Sequence, residues 1–249
     1  MRSFLFKRFL LLFLTIFGVM IITFFLSRLL HGDPALLILG ERPTAEQIKS
    51  VNDKLGLNKP LLEQFWIYIT DLVKGDLGTS LRTKNPVSFE LGNRFTATFE
   101  LVTIALFLAI LIGFPLGVLS AYYRNTKLSL FIRTISFTSF ALPVFWSGML
   151  LQILLFGKLG WFPLQGRLSA QFQGSELSIQ TGMLLVDTLL SGNWEIFMDA
   201  VTHITLPVIC LSFSILGIII RTVRSAALEN IQQDYFMTYQ AFGFDPLII

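Results

Sequence analysis

FLLLFLTIFGVMIITFFLSRLL, residues 9–30, is 22 residues long, and its only charge is Arg28 near the far end. A hydrocarbon core of about 30 Å is crossed by about 20 predominantly apolar helical residues, so this run predicts a transmembrane helix. Arg2, Lys7 and Arg8 precede it, as basic residues precede a secretory signal. A signal's apolar stretch spans only about 7–15 residues and ends at a small-residue cleavage site. The run here is longer, no clear site of that kind follows, and the reading is a retained first helix. Three further stretches meet the same test, residues 99–122, 131–156 and 204–220. The chain reads as an all-α membrane protein with four predicted transmembrane helices.

Composition agrees. Hydrophobic residues make up 53% of the 249 and charged residues 14%, with a mean hydropathy of +0.68. Soluble domains carry about 25% charged residues, so an aqueous surface has too little polar cover. Phenylalanine, at 25 residues against 5 Tyr and 4 Trp, supplies aromatic bulk without a polar handle. The net charge of +3 is too small to imply a nucleic-acid partner. Cys210 is the single cysteine, which excludes a disulfide within one copy; it reads as a small buried packing residue.

Charge placement sets an orientation. Arg2, Lys7 and Arg8 lie before the first span, Arg124, Lys127 and Arg133 around the turn between the second and third, and Arg221 and Arg224 after the fourth. All three clusters share one side when four spans alternate, and the positive-inside rule makes that side cytoplasmic. The expectation is a multi-pass membrane protein with a cytoplasmic N-terminus. Residues 1–30 form the N-terminus and first span, 31–98 an extracytoplasmic loop, 99–225 the remaining spans with an outer loop at 158–202, and 226–249 a cytoplasmic region.

The first outer loop is structured. Residues 44–55, TAEQIKSVNDKL, open with a capping box of Thr44 and Gln47, and Ile48, Val51 and Leu55 give a helical apolar stripe. Residues 60–74 carry a second stripe, including Leu61, Phe65, Trp66 and Ile69. Both predict short amphipathic helices. In the second outer loop, residues 183–190 are apolar but too short to span and predict a half-buried helix.

Breakers and hydroxyls mark the spans. Gly113, Pro115 and Gly117 lie in the second, Ser136, Ser139, Pro143, Ser147, Gly148 and Gln152 in the third, and Pro207, Ser212, Ser214 and Gly217 in the fourth. Small residues let helices approach closely, and hydroxyls bond across them. The alternative role is a polar path for a solute, with Ser136, Ser139, Pro143, Ser147, Gln152, Ser212 and Ser214 as its candidates. Ser136, Ser139 and Pro143 fall at i, i+3 and i+7, on one helical face, which must meet either other helices or a water-filled route. Away from their ends, the spans hold no Asp, Glu, Lys or Arg apart from Arg133 near the inner end of the third, whereas ion-coupled carriers place such groups there. No G-x-x-x-x-G-K-[ST] loop occurs, so the chain has no phosphate-binding motif of its own, and it does not read as an enzyme. No pattern calls for a catalytic residue, a cofactor or a metal, and His31 and His203 read as interfacial caps beside the first and fourth spans.

Several strings, in order, carry a resemblance: Asp33-Pro34-Ala35, LGLNKPLLEQFWIYITDLVKGDLGTSL (55–81), NRFTATFEL (93–101), IGFPLGVLSA (112–121), LPVFWSGMLL (142–151) and LGWFPLQGR (159–167). Together they resemble the peptide/nickel-type permease subunits of ABC transporters, binding-protein-dependent importers. The resemblance implies a six-helix-type permease fold that forms half of a translocation path. Its implied partners are a second homologous permease subunit, two cytoplasmic ATPase subunits and an extracytoplasmic solute-binding protein. It implies transport of di- or oligopeptides or related small solutes, nickel among them. It also places an ATPase-coupling helix within LENIQQDYFMTYQAFGF (228–244), where Asp234, Tyr235, Thr238, Ala241 and Gly243 match the pattern. Tyr239 stands where the pattern has a small alanine, and Met237, Gln240 and Phe242 where it has basic residues. Such permeases continue with two further spans, so the resemblance makes these residues the first two-thirds of one; the alternative is a truncated, non-transporting membrane scaffold.

Overall fold

The computed structural model describes residues 2–29, 44–54, 56–80, 82–174 and 180–243, and among them the chain is helical apart from turns and one isolated bridge, Thr79 to Pro86. His31, the Asp33-Pro34-Ala35 string and Leu55 lie outside the described residues. Two compact units divide the chain, Met1–Gly92 and Asn93–Ile249.

In the first unit, α1 (Arg2–Leu29) contains the opening apolar run. Its side chains are exposed almost all round, Phe6, Phe9 and Leu14 among them, as suits a helix whose solvent is lipid. Phe24 is the exception: it is buried, with its ring 5.2 Å from that of Phe65. Phe65 belongs to α3 (Leu61–Val73), preceded by α2 (Ala45–Lys54). The predicted capping box at α2 is formed in both directions. The Thr44 amide donates to Gln47 Oε1 at 2.9 Å, and the Gln47 amide donates to Thr44 Oγ1 at 3.3 Å. At α3, Gln64 reaches back to donate to the Leu57 and Lys59 carbonyls, tying the LGLNKP turn to the helix that follows it.

The second unit is built on α4 (Val87–Tyr122), α5 (Lys127–Ala141), α6 (Val144–Leu151), a π-helical continuation (Gln152–Lys158), α7 (Leu184–Leu190), α8 (Trp194–Ile231) and α9 (Asp234–Ala241). Helix α4 begins in the first unit and carries its apolar run through the second. Among the described residues, α1, α4 and α8 are long and apolar enough to cross a membrane, and the bent pair of α5 with Val144–Lys158 passes the same test together.

The third predicted span is therefore not one helix. It breaks at Leu142–Pro143 with a bend of 103°. Pro143 has no N–H to continue the ladder, and its ring forces the preceding residue out of the helical region. Leu142 is accordingly extended, at φ −85° and ψ 127°. The fourth span also differs from expectation. Helix α8 starts ten residues before the apolar run at 204, because Asn193 caps it by accepting from the Ile196 amide. His203 thus lies inside a helix rather than ahead of one, and most of the last stretch of the predicted outer loop is helical.

Glycines bring α8 against its neighbours. A side chain at Gly217 would collide with Ser139 Oγ and the Ser136 carbonyl on α5. On α4, a Cβ at Gly113 would sit 2.9 Å from Ile219, and one at Gly117 2.7 Å from Val223. Ile132, Leu216 and Ile220 form the buried centre of this contact, with Leu116, Leu119 and Phe213 packed around it.

Candidate functional site

Three regions of the second unit carry the candidate chemistry: the hydroxyl-bearing faces of α5, α6 and α8, the polar cluster beside α7, and the short helix α9.

The hydroxyl candidates separate into two groups. Ser136 Oγ donates to the Gly217 carbonyl at 2.8 Å, and Ser139 Oγ donates to the Ser136 carbonyl at 3.0 Å, both buried where α5 meets α8. Ser212 Oγ donates to the Ala105 carbonyl at 2.9 Å, fastening α8 to α4. These three side chains are committed between helices. Ser147 is half-buried, donating to the Pro143 carbonyl of its own helix, and Gln152 Nε2 donates to the Leu164 carbonyl at 3.4 Å. Ser214 is also half-buried, and Pro143 is exposed at the break. The shared face read from Ser136, Ser139 and Pro143 is thus cut short, because α5 ends at Ala141 before the proline is reached. Cys210 is buried, its thiol directed at the Val144 carbonyl at 3.4 Å across the α6–α8 contact.

Sequence reading missed the polar cluster. Glu100 lies one residue inside the predicted second span and is only 4% exposed. Arg167 Nη2 donates to its Oε2 at 2.8 Å, and the Leu184 and Leu185 amides donate to the two carboxylate oxygens at 3.1 and 2.6 Å. A carboxylate at the first turn of α7 satisfies amides that the helix itself leaves open. Asp187, on the same helix, accepts from the Thr181 amide and hydroxyl and from the Gly182 amide. Burial acts to raise its pKa, but these bonds and one from the Gln180 backbone outweigh burial and hold it below the ordinary carboxylate value. Asp199 on α8 accepts from the Ser169 amide at 2.7 Å and from the Ser169 hydroxyl. Buried His203 donates from Nδ1 to the Asp199 carbonyl at 2.8 Å. Glu100, Arg167, His203 and Pro207 line one cavity of about 250 Å³. The available signal was a lone acid heading an apolar run, which requires a partner at membrane depth.

Beyond α8, the chain turns at Gln232 and enters α9. Tyr235 donates its hydroxyl to Asn230 Oδ1 at 2.8 Å, fixing α9 against the end of α8. Asp234 opens the helix, Thr238 donates back to the Asp234 carbonyl, and Ala241 is its last residue. Gly243 follows at φ +83°, the left-handed conformation that ends many helices and favours glycine. Tyr235, Tyr239 and Phe242 present aromatic surface at this end.

Comparison with known proteins places this architecture. Residues 113–247 match the family described as "Binding-protein-dependent transport system inner membrane component", and residues 1–103 match the companion N-terminal family of the same systems. The chain is 44% identical over 230 residues to a probable D,D-dipeptide transport system permease protein of Escherichia coli K12, covering 92% of this chain and 67% of that one. It is 39% identical over 247 residues to a di/tripeptide transport system permease protein of Pseudomonas aeruginosa UCBPP-PA14, covering 99% and 73%. It is 32% identical over 243 residues to a glutathione transport system permease protein of Pectobacterium atrosepticum, covering 98% and 69%. Apolar helices joined through small-residue contacts, a proline-broken third segment and a short polar helix after the last long one are what these two matched regions enclose, and the chain belongs to the family of inner membrane components of binding-protein-dependent transport systems.

Proposed function

We propose that this chain is one permease subunit of an ATP-driven importer of di- and oligopeptides or related small solutes. The observation that carries the reading is the 44% and 39% identity, over nearly the whole chain, to permease proteins named for dipeptides and di/tripeptides. A second homologous permease completes the path, an extracytoplasmic binding protein delivers solute, and two cytoplasmic ATPases drive the cycle. Uptake of labelled di- and tripeptides by cells with and without the gene tests it, with glutathione and nickel as further substrates; an unchanged profile across the panel rejects the reading.

The N-terminus and the α4–α5 turn face the cytoplasm in this proposal. The grouping of Arg124, Lys127 and Arg133 in and after that turn, and of Arg221 and Arg224 just beyond the apolar run of α8, supports it. The ATPases then grip α9, through Asp234, Tyr235, Thr238, Ala241 and Gly243. In the membrane, Ser147, Gln152 and Ser214 line the path beside the broken backbone at Pro143, since irregular backbone at membrane depth is tolerated where it is covered by protein or faces water. Ser136, Ser139 and Ser212 serve the same path by fixing the helices that wall it. Replacing Gly243 by leucine forces a left-handed residue to carry a side chain, which costs about 1–2 kcal/mol. The expected result is ATP hydrolysis uncoupled from uptake; full uptake by G243L removes the residue from the coupling assignment.

A further inference from the structure

Arg133 on α5 and Arg221 and Arg224 on α8 line one cavity of about 400 Å³, and no carboxylate lines it with them. None of the three forms a salt bridge with a described residue. Arg224 Nε is buried and lacks a hydrogen-bond partner among the described residues, and the Arg133 charge opposes that of Arg224. Arg221 lies over the Phe140 ring, 5.4 Å from its centroid, a contact that orients the guanidinium without neutralising it. The nearby hydroxyls of Thr134 and Ser136 donate to the Leu130 and Gly217 carbonyls, which leaves the guanidiniums and the Ser225 hydroxyl as the donors that line the cavity. Arg133 and Arg221 are exposed and Arg224 is half-buried, so the three like charges together raise the local positive potential and favour an anion among them.

The walls and the depth define that anion. Phe137 and Phe140 border the cavity and are 73% and 61% exposed, so a hydrocarbon chain can lie along the same opening. The apolar run of α8 ends at Ile220, putting Arg221 at its boundary and Arg224 about one turn beyond, the level of lipid headgroups. A transported peptide fits less well, because its amino end finds no acid in this cavity. We infer that the cavity between α5 and α8 binds the phosphate of an anionic phospholipid of the inner leaflet, its acyl chains lying against Phe137 and Phe140. The leaflet rests on the orientation proposed above.

The test uses the full chain in phosphatidylcholine nanodiscs doped with phosphatidylglycerol, with retained lipid counted by native mass spectrometry. Wild type is expected to retain phosphatidylglycerol over phosphatidylcholine, and R221Q and R224Q each to lower that retention about fivefold. R224K keeps most of the retention, and R8Q, the same charge change on α1, leaves it intact. Equal retention in the triple variant R133Q/R221Q/R224Q, an R8Q loss as large as that of R224Q, or displacement by millimolar inorganic phosphate overturns the assignment. A photo-crosslinker at Phe137 in an otherwise wild-type chain gives a readout independent of the arginine variants. Lipid adducts are expected, and adducts only to an acidic protein segment overturn the proposal. Nanodiscs carry the lipid in both leaflets, so orientation is tested separately by thiol labelling of N125C in sealed vesicles. Labelling from outside rejects the orientation and leaves the lipid result standing.

Discussion

Glu100 accepts three hydrogen bonds with its side chain almost wholly buried, while its partner Arg167 keeps 45% of its side chain exposed. Solvent screens the arginine, so the two amide bonds from α7 are the larger share of what the carboxylate does. Replacing Glu100 by alanine strands the Leu184 and Leu185 amides and is expected to destabilise this corner by roughly 2–3 kcal/mol. Hydrogen exchange at those two amides measures it; unchanged protection would remove Glu100 as the anchor. Asp187 gives a pH-dependent counterpart. Its folded pKa lies below the ordinary value, so its stabilisation is fully present above the unfolded pKa of about 3.9 and fades as pH falls through the lower folded value. The stability gap between wild type and D187N is therefore expected to be roughly 2 kcal/mol at pH 7 and to close below about pH 4. A gap that stays constant to pH 3 or widens on acidification contradicts this. The role of Glu100 was not legible beforehand, because its amides come from a distant segment, Leu184 meeting it from 84 residues away, and that of Asp187 depends on how the turn at Thr181 and Gly182 folds back on α7.

Helices were legible where the code is local. The Thr44–Gln47 capping box and the stripe of α3 use spacings of three and four residues, and both helices form where they were expected. Boundaries set by bilayer thickness were less secure, because an apolar window records the part of a helix inside lipid, not the helix. At 38 residues, α8 is about 57 Å long and outruns any bilayer. The break of the third segment depended on how far Leu142 would depart from helix once Pro143 followed, and on the packing of α6 against α8. Contact between α5 and α8 is the point where a single atom decides packing. G217A places a methyl group against the Ser136 carbonyl, which is backbone and cannot move aside as a flexible side chain would. Overpacking of this kind costs about 1–3 kcal/mol, so a lower melting temperature and loss of the Ser136–Gly217 hydrogen bond are expected. Unchanged melting of G217A in detergent or nanodiscs would mean that the two helices separate freely.

At the scale of the whole molecule, the proposed coupling segment would act only within a complex. Among the described residues none covers Phe242, which lies just past α9, outside the apolar runs, and is 78% exposed. A phenylalanine in water at a polar helix end is unfavourable in isolation and becomes an anchor when a partner covers it. Phe242 stands where the resemblance has a basic residue, so on the proposed function the contact between this end of the chain and an ATPase would be apolar here. Truncating a buried interface aromatic costs more than about 1 kcal/mol, so F242A is expected to weaken retention of the ATPases about fivefold or more. Because the side chain supports nothing within the described part of the membrane domain, the same change is expected to leave the melting temperature of the isolated subunit within about 0.5 kcal/mol equivalent of wild type. Co-purification and melting are therefore read together. Loss of the ATPases with melting unchanged assigns Phe242 to the interface. Retention at wild-type strength places the contact elsewhere on α9, and a fall in both places the ring in the fold.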